Sequence, residues 1–237
     1  MHTKKKHILS LCLAMGIFVF PLPFFFSQKK ETTAKEILTS IQPKKKIEIK
    51  NVPFTSQAPF SNWEDPRQQN GCEEASILMA LKWVKNEPLD RNIAEKEIIA
   101  ISEFEKEKYG FYEDSSAEQT AIIMKDYFGY ASAVVKKNIS KTDVIAALET
   151  GAIVIVPVQG KKLKNPNFKG AGPERHMLVI YGYDPRKKEF ITNDPGTRKG
   201  KGYRYKENIL LGAILNYPNG FHEPITKKET AMIIVKK

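Results

Sequence analysis

The sequence predicts an α+β fold in which a helical layer packs on an antiparallel sheet, and three observations carry that prediction. Segments of helical period with capping residues gather in the first half of the chain. Apolar runs of strand length, separated by turn residues, gather in the second. Composition is that of a folded protein: the 237 residues are 41% hydrophobic and 27% charged, with 13 Phe, 9 Tyr and 2 Trp. That excludes a disordered or low-complexity chain. No internal repeat or second domain is visible.

The elements follow in order. Ile8 to Phe26 is a run of nineteen uncharged residues behind Lys4, Lys5 and Lys6. As a helix it would span about 28 Å, close to a bilayer's hydrocarbon thickness. Residues 1–27 therefore read as a membrane anchor or signal segment. An uncleaved anchor is favoured because no small-x-small cleavage site precedes Gln28. The leading lysines place residues 28 onward outside the cytoplasm, or in the secreted product if the segment is cleaved. Residues 28–48 read as a tether and 49–237 as the folded domain.

Val52 to Gln57 is a short extended segment, followed by a loop with Pro59, Asn62, Asp65 and Pro66. From Cys72 the pattern turns helical until Asn86 and Pro88. Leu89 to Asp114 predicts one or two irregular helices. Ser115 and Glu118 form a capping-box pattern ahead of a helix ending at Gly129. Ser140 caps a further helix that Gly151 stops. Ile153–Val158, His176–Tyr183, Lys188–Asp194 and Ala231–Val235 then read as strands, with a turn at Asp184 to Lys187.

The charge is +11, but the first thirty residues hold five lysines and no acid, leaving +6 for the remainder. With no zinc-finger spacing, aromatic-interleaved basic motif or Walker-type loop, a nucleic-acid partner is not expected. Two cysteines, Cys12 and Cys72, cannot build a Cys-rich metal site or a disulfide framework, and no cofactor is implied. Cys12 lies in the membrane segment, so Cys72 is the only thiol of the domain. It follows Gly71 at a helix start, where free N–H groups and the macrodipole favour a thiolate. His176 opens a strand after a Gly/Pro-rich loop, whereas His222 reads as an ordinary loop histidine. Pairing Tyr183 with Lys188 across the turn brings Asp194 within a residue or two of the level of His176, where a carboxylate can hold the imidazole. Asp184, at the turn, is the poorer candidate.

Val52-Pro-Phe-Thr-Ser-Gln57, Gly71-Cys-Glu-Glu-Ala-Ser-Ile-Leu-Met79, His176-Met-Leu-Val-Ile-Tyr-Gly-Tyr-Asp184 and Thr192-Asn-Asp-Pro195 together resemble the C39-like cysteine peptidase family. This is a papain-like group related to the leader-peptide-cleaving domains of bacteriocin exporters. The resemblance covers roughly residues 49–237. It implies Cys72 as nucleophile, His176 as general base and then acid, Asp194 as orienting carboxylate and Gln57 as side-chain donor of an oxyanion hole. Transporter-linked members carry Gly after the cysteine and a glutamine closer to it. This chain has Glu73, and Gln69 is a rival to Gln57. The expected partner is a peptide or protein substrate, with the membrane contacted through the first segment; the sequence leaves the oligomeric state open. The alternatives are a non-catalytic module binding peptide or cell-wall polymer, and a related thiol amidase or transglutaminase. Lys161, Lys162, Lys164, Lys169, Arg175, Arg198, Lys199 and Lys201 flank the histidine and aspartate, either as a solvated face or as a rim selecting acidic partners.

Overall fold

The computed structural model describes residues 45–237; the expected membrane segment, residues 1–27, and most of the expected tether, residues 28–48, lie outside the described residues. Among the described residues, no helix is long and apolar enough to cross a membrane.

The chain enters through β1 (Ile47–Glu48), two residues ahead of the expected domain start, and β1 pairs with Tyr183 and Gly182. Asp65 caps α1 (Pro66–Gln69), with Pro66 in its first turn, where its missing N–H costs nothing. Then comes α2 (Cys72–Lys85), which Asn86 ends in the left-handed region at φ 54°. The stretch expected to be irregular forms one 19-residue helix, α3 (Arg91–Tyr109). Asp90 caps its start and Gly110 its end, and Ala94, Ile98 and Ile101 make its buried stripe. In α4 (Ala117–Phe128) the capping residue is Ser116, one position beyond the expected Ser115, because its hydroxyl accepts from the Gln119 N–H.

Next come β2 (Val134–Lys137), which the periodicity did not predict, and α5 (Lys141–Glu149), capped at Ser140 as expected. The expected strand β3 (Ile153–Val158) leads into a short α6 (Gly160–Leu163). After β4 (His176–Asp184) and β5 (Glu189–Asn193) come two unpredicted elements, β6 (Tyr203–Lys206) and α7 (Glu207–Ala213). The chain closes on β7 (Ala231–Val235), as predicted.

The strands form one antiparallel sheet in the order β2-β7-β3-β4-β5-β6, with β1 also on β4. Both faces are covered. Ile153, Ile155, Met177 and Val179 face the helices of the first half, α2 to α4. Val154, Val156, Val158, Leu178 and Ile180 face α5 and α7. This double covering explains why β3 reads as an unbroken apolar run. Each such side chain contributes roughly 1.5–3 kcal/mol by burial. The α+β class holds, with a second, smaller helical layer behind the sheet.

The β4–β5 hairpin is offset from the expected register: Tyr183 faces Phe190 and Asp184 faces Glu189. The turn takes four residues because Asp184 Oδ1 accepts from the N–H groups of Arg186 and Lys187, and Lys188 adopts φ 53°. A bulge between Ile180 and Gly182 then takes back one residue, so Val179 pairs with Asn193. Asp194 thus leaves the sheet just beyond the last pair, at the His176 end of β4.

Candidate active site

His176 is placed by the sheet. Its ring is 1% exposed, and its Nε2 lies 2.7 Å from Asp194 Oδ1. Asp194 is fully buried, and each oxygen has defined partners: Oδ1 also accepts the Gly196 N–H at 2.9 Å, and Oδ2 accepts the Tyr205 hydroxyl at 2.5 Å. Asn165 donates to the Tyr205 oxygen at 2.7 Å and completes the shell. Burial alone would raise the Asp194 carboxyl, but the His176 charge and these hydrogen bonds outweigh it and hold the group below its usual range. Two glycines permit the loop to fold back here. A Cβ at Gly200 would stand 1.8 Å from the Asp194 carbonyl oxygen, and one at Gly196 would stand 2.9 Å from His176 Cε1. Phe168 packs edge-on against the other side of the imidazole, with ring centroids 5.5 Å apart. The Nε2 contact with Asp194 leaves Nδ1 as the ring nitrogen available for proton transfer.

Cys72 is placed by a helix. It opens α2, whose first N–H groups have no partner within the helix. The expectation of a thiolate there is corrected by what surrounds it. The thiol is 6% exposed and donates to Glu73 Oε2 at 2.9 Å. Burial first, then the Glu73 carboxylate, Glu74 and Asp114, push the thiol well above its ordinary value. All of these oppose the helix terminus and favour the protonated thiol.

Glu73, itself 1% exposed, connects the two halves. The Tyr217 hydroxyl is 2.7 Å from Glu73 Oε1 and 3.3 Å from the carbonyl oxygen of His176. The Ser115 N–H reaches the same Glu73 oxygen at 3.3 Å. Burial raises the Glu73 carboxyl, opposed by the hydrogen bonds from Cys72 and Tyr217. Behind it lie Glu74 and Glu105, both buried and both raised well above the carboxylate range, by burial first and by neighbouring glutamates second.

The two glutamines are also placed. Gln57 is buried and stitched to the loop after Asp194 by its own N–H, which donates to the Pro195 carbonyl at 2.9 Å. Its amide nitrogen is committed, donating to Gln69 O at 2.7 Å and Gln68 O at 3.1 Å, while Oε1 has no partner among the described residues. Gln69 is exposed. Both glutamines line a cleft of about 710 Å³ together with Phe168 and Gly196. The cleft thus opens directly over the residues that flank the His176 ring. Asp184 serves the hairpin turn, and His222 stands beside Asp114 and Arg175, away from the Asp194 pair.

Sequence reasoning placed Cys72, His176, Asp194 and the glutamines but missed Tyr205, Tyr217 and Asn165, which arrive from distant segments without a spacing signal. Glu73 was visible only as a departure from the transporter-linked pattern, since a glutamate in a first helical turn is ordinary.

Residues 49–217 match the Peptidase_C39 like family. Among solved structures, that of a Bacillus anthracis protein proposed to be a C39-like peptidase aligns at 15% identity with a TM-score of 0.47, covering 81% of this chain and 98% of that one. No curated protein was found to match. The family match spans well over half of the chain, including every residue of the constellation above, and the chain belongs to the C39-like peptidase family.

Proposed function

We propose that the chain hydrolyses peptide bonds by thiol-dependent acyl transfer, with Cys72 as nucleophile and His176 as base and then acid. The observation that carries this is the buried His176–Asp194 pair at 2.7 Å, fully hydrogen-bonded on the carboxylate side, in a domain whose single thiol opens the helix packed on the same sheet. Asp194 fixes the ring orientation and stabilises the imidazolium that forms. Because the resting thiol is protonated, His176 removes the proton as Cys72 attacks the carbonyl. It then returns that proton to the leaving amine, and water releases the acyl-enzyme with the thiol restored. The Cys72 N–H supplies one oxyanion donor. Gln69 supplies the second, since the Gln57 donors are held by main-chain carbonyls and Gln57 instead fixes the loop around them. We further propose that residues 1–27 tether the domain to the outer face of a membrane; carbonate extraction and external protease accessibility test this.

The decisive experiment compares the full chain with its Cys72→Ala variant on a quenched-fluorescence peptide library. Turnover falls by more than about 10⁴-fold in the variant. Equal turnover by both proteins overturns the assignment. New amino termini, measured against cross-linked amine, separate hydrolysis from transglutamination. A second reading, a binding module without catalysis, draws on the 6% exposure of Cys72 and requires that neither protein cleaves any peptide.

A further inference from the structure

The cleft over His176 is walled by charge of one sign. Lys169, Arg198 and Lys199 line it, and no Asp or Glu does. All three are exposed, and among the described residues none has an ion-pair partner. Their neighbours in the sequence are different. Lys161 is tied to Glu174 at 2.6 Å, and Arg175 is buried against Asp114. Of the eight basic residues that flank the histidine and the aspartate, the fold thus neutralises Lys161 and Arg175; of the six without an ion-pair partner among the described residues, Lys169, Arg198 and Lys199 gather around one opening. Arg198 also borders an adjoining depression with Lys201, Arg91 and a single acid, Asp90.

A cleft with walls of one sign focuses the field into itself and raises the association rate of oppositely charged ligands by roughly 10–10³. The same cleft carries the indole of Trp63 and the ring of Phe168. Its volume of about 710 Å³ is that of a site for a few side chains. Mixed apolar and cationic walls fit a peptide carrying carboxylates beside apolar side chains better than a repeating polyanion, which offers no apolar group to Trp63 and Phe168.

Resting on the peptidase reading above, we propose that this cleft is the specificity subsite, which takes peptide segments with Asp or Glu near the scissile bond. Lys169, Arg198 and Lys199 receive the carboxylates, and Trp63 with Phe168 covers a neighbouring apolar side chain.

The test uses two quenched-fluorescence peptide libraries that differ only in Asp/Glu against Asn/Gln. Binding is read by anisotropy on full-length Cys72→Ala, and turnover on the wild type. The acidic library binds about tenfold more tightly or better at low salt, and the advantage shrinks toward 1 M salt, where the screening length is about 3 Å. Adding Lys169→Gln, Arg198→Gln and Lys199→Gln to Cys72→Ala removes the advantage. Lys96→Gln with Lys125→Gln, exposed cations outside the cleft, retains it. Equal binding of the two libraries, or a preference that survives the triple substitution, overturns the subsite. So does tighter, cleft-dependent binding of a glycerol-phosphate polymer, which would replace peptide by wall polymer as the ligand. Equal cleavage of both libraries overturns the subsite and leaves the peptidase reading standing. Acid-selective binding without cleavage of either library overturns the peptidase reading and leaves the subsite.

Discussion

The two halves of the site are built on opposite electrostatic plans. On the histidine side, Asp194 meets His176, Tyr205 and the Gly196 N–H, so a fully buried carboxylate is held ionised. On the cysteine side, Glu73, Glu74 and Glu105 crowd behind the thiol, and two of their oxygens, Glu74 Oε2 and Glu105 Oε1, have no partner among the described residues. The first arrangement fixes a charge; the second resists one. In the proposed mechanism the two together keep Cys72 protonated until His176 acts on it, while the His176 ring is already oriented. A buried, unreactive resting thiol is also protected against oxidation, since it is the thiolate that reacts.

The largest test of this contrast breaks the histidine side. Asp194→Asn lowers kcat/KM by roughly 10⁴-fold, because the ring loses the partner that sets its tautomer. Steady-state kinetics on the peptide library measure this, and a loss below tenfold would detach Asp194 from the reaction. Tyr205→Phe removes one hydrogen bond from a buried anion and destabilises the fold by about 1.5–3 kcal/mol in urea unfolding at neutral pH. Here the sign can be stated. Asp194 is depressed in the fold, so its stabilisation is present above its unfolded value and is lost as pH falls through the folded one. The Tyr205→Phe penalty is therefore full at neutral pH and fades in acid.

The cysteine side is sharpened by removing charge. Glu73→Gln lowers the thiol's ionisation point by removing the carboxylate charge beside it, seen as several-fold faster iodoacetamide labelling near neutral pH with the profile displaced toward acid. An unmoved profile would show that Glu73 does not hold the proton on Cys72. The smallest effect belongs to Glu74→Gln. Glu74 is raised in the fold, so its contribution is complete below the unfolded carboxyl value and erodes as pH rises from there. A glutamine cannot ionise, so the variant gains on the wild type as pH rises from 5 to 8, read from urea midpoints. A constant difference across that range removes Glu74 from the contrast.

The two sides were also unequally legible in the sequence. Runs with an unambiguous period were readable: β3 and β7 fall where expected, as does the start of α2 at Cys72. His176 and Asp194 could be brought to one level by counting across a turn, although the four-residue turn proved to lie one residue further along the chain because Asp184 organises it. Elements whose outward faces are charged were hidden. Val134–Lys137 is a largely exposed edge strand, and Tyr203–Lys206 alternates aromatic with basic residues. The acidic cluster was illegible for a different reason. A glutamate in a helical segment carries no sequence signal of burial, and only the packing of α2 against α3 and the sheet reveals that Glu73, Glu74 and Glu105 are all buried.

The position of β7 has a consequence for how the domain assembles. Although it follows every other element in the chain, it lies between β2 and β3 and pairs with both. The inner strand that carries the core beneath Cys72 therefore keeps an open edge until residues 231–235 arrive. Such distant pairings are slow to form and leave apolar edges exposed meanwhile. During synthesis the Cys72 helix and the His176 strand are both made well before the strand that locks their shared sheet, so the arrangement around them is complete only once residues 231–235 have emerged.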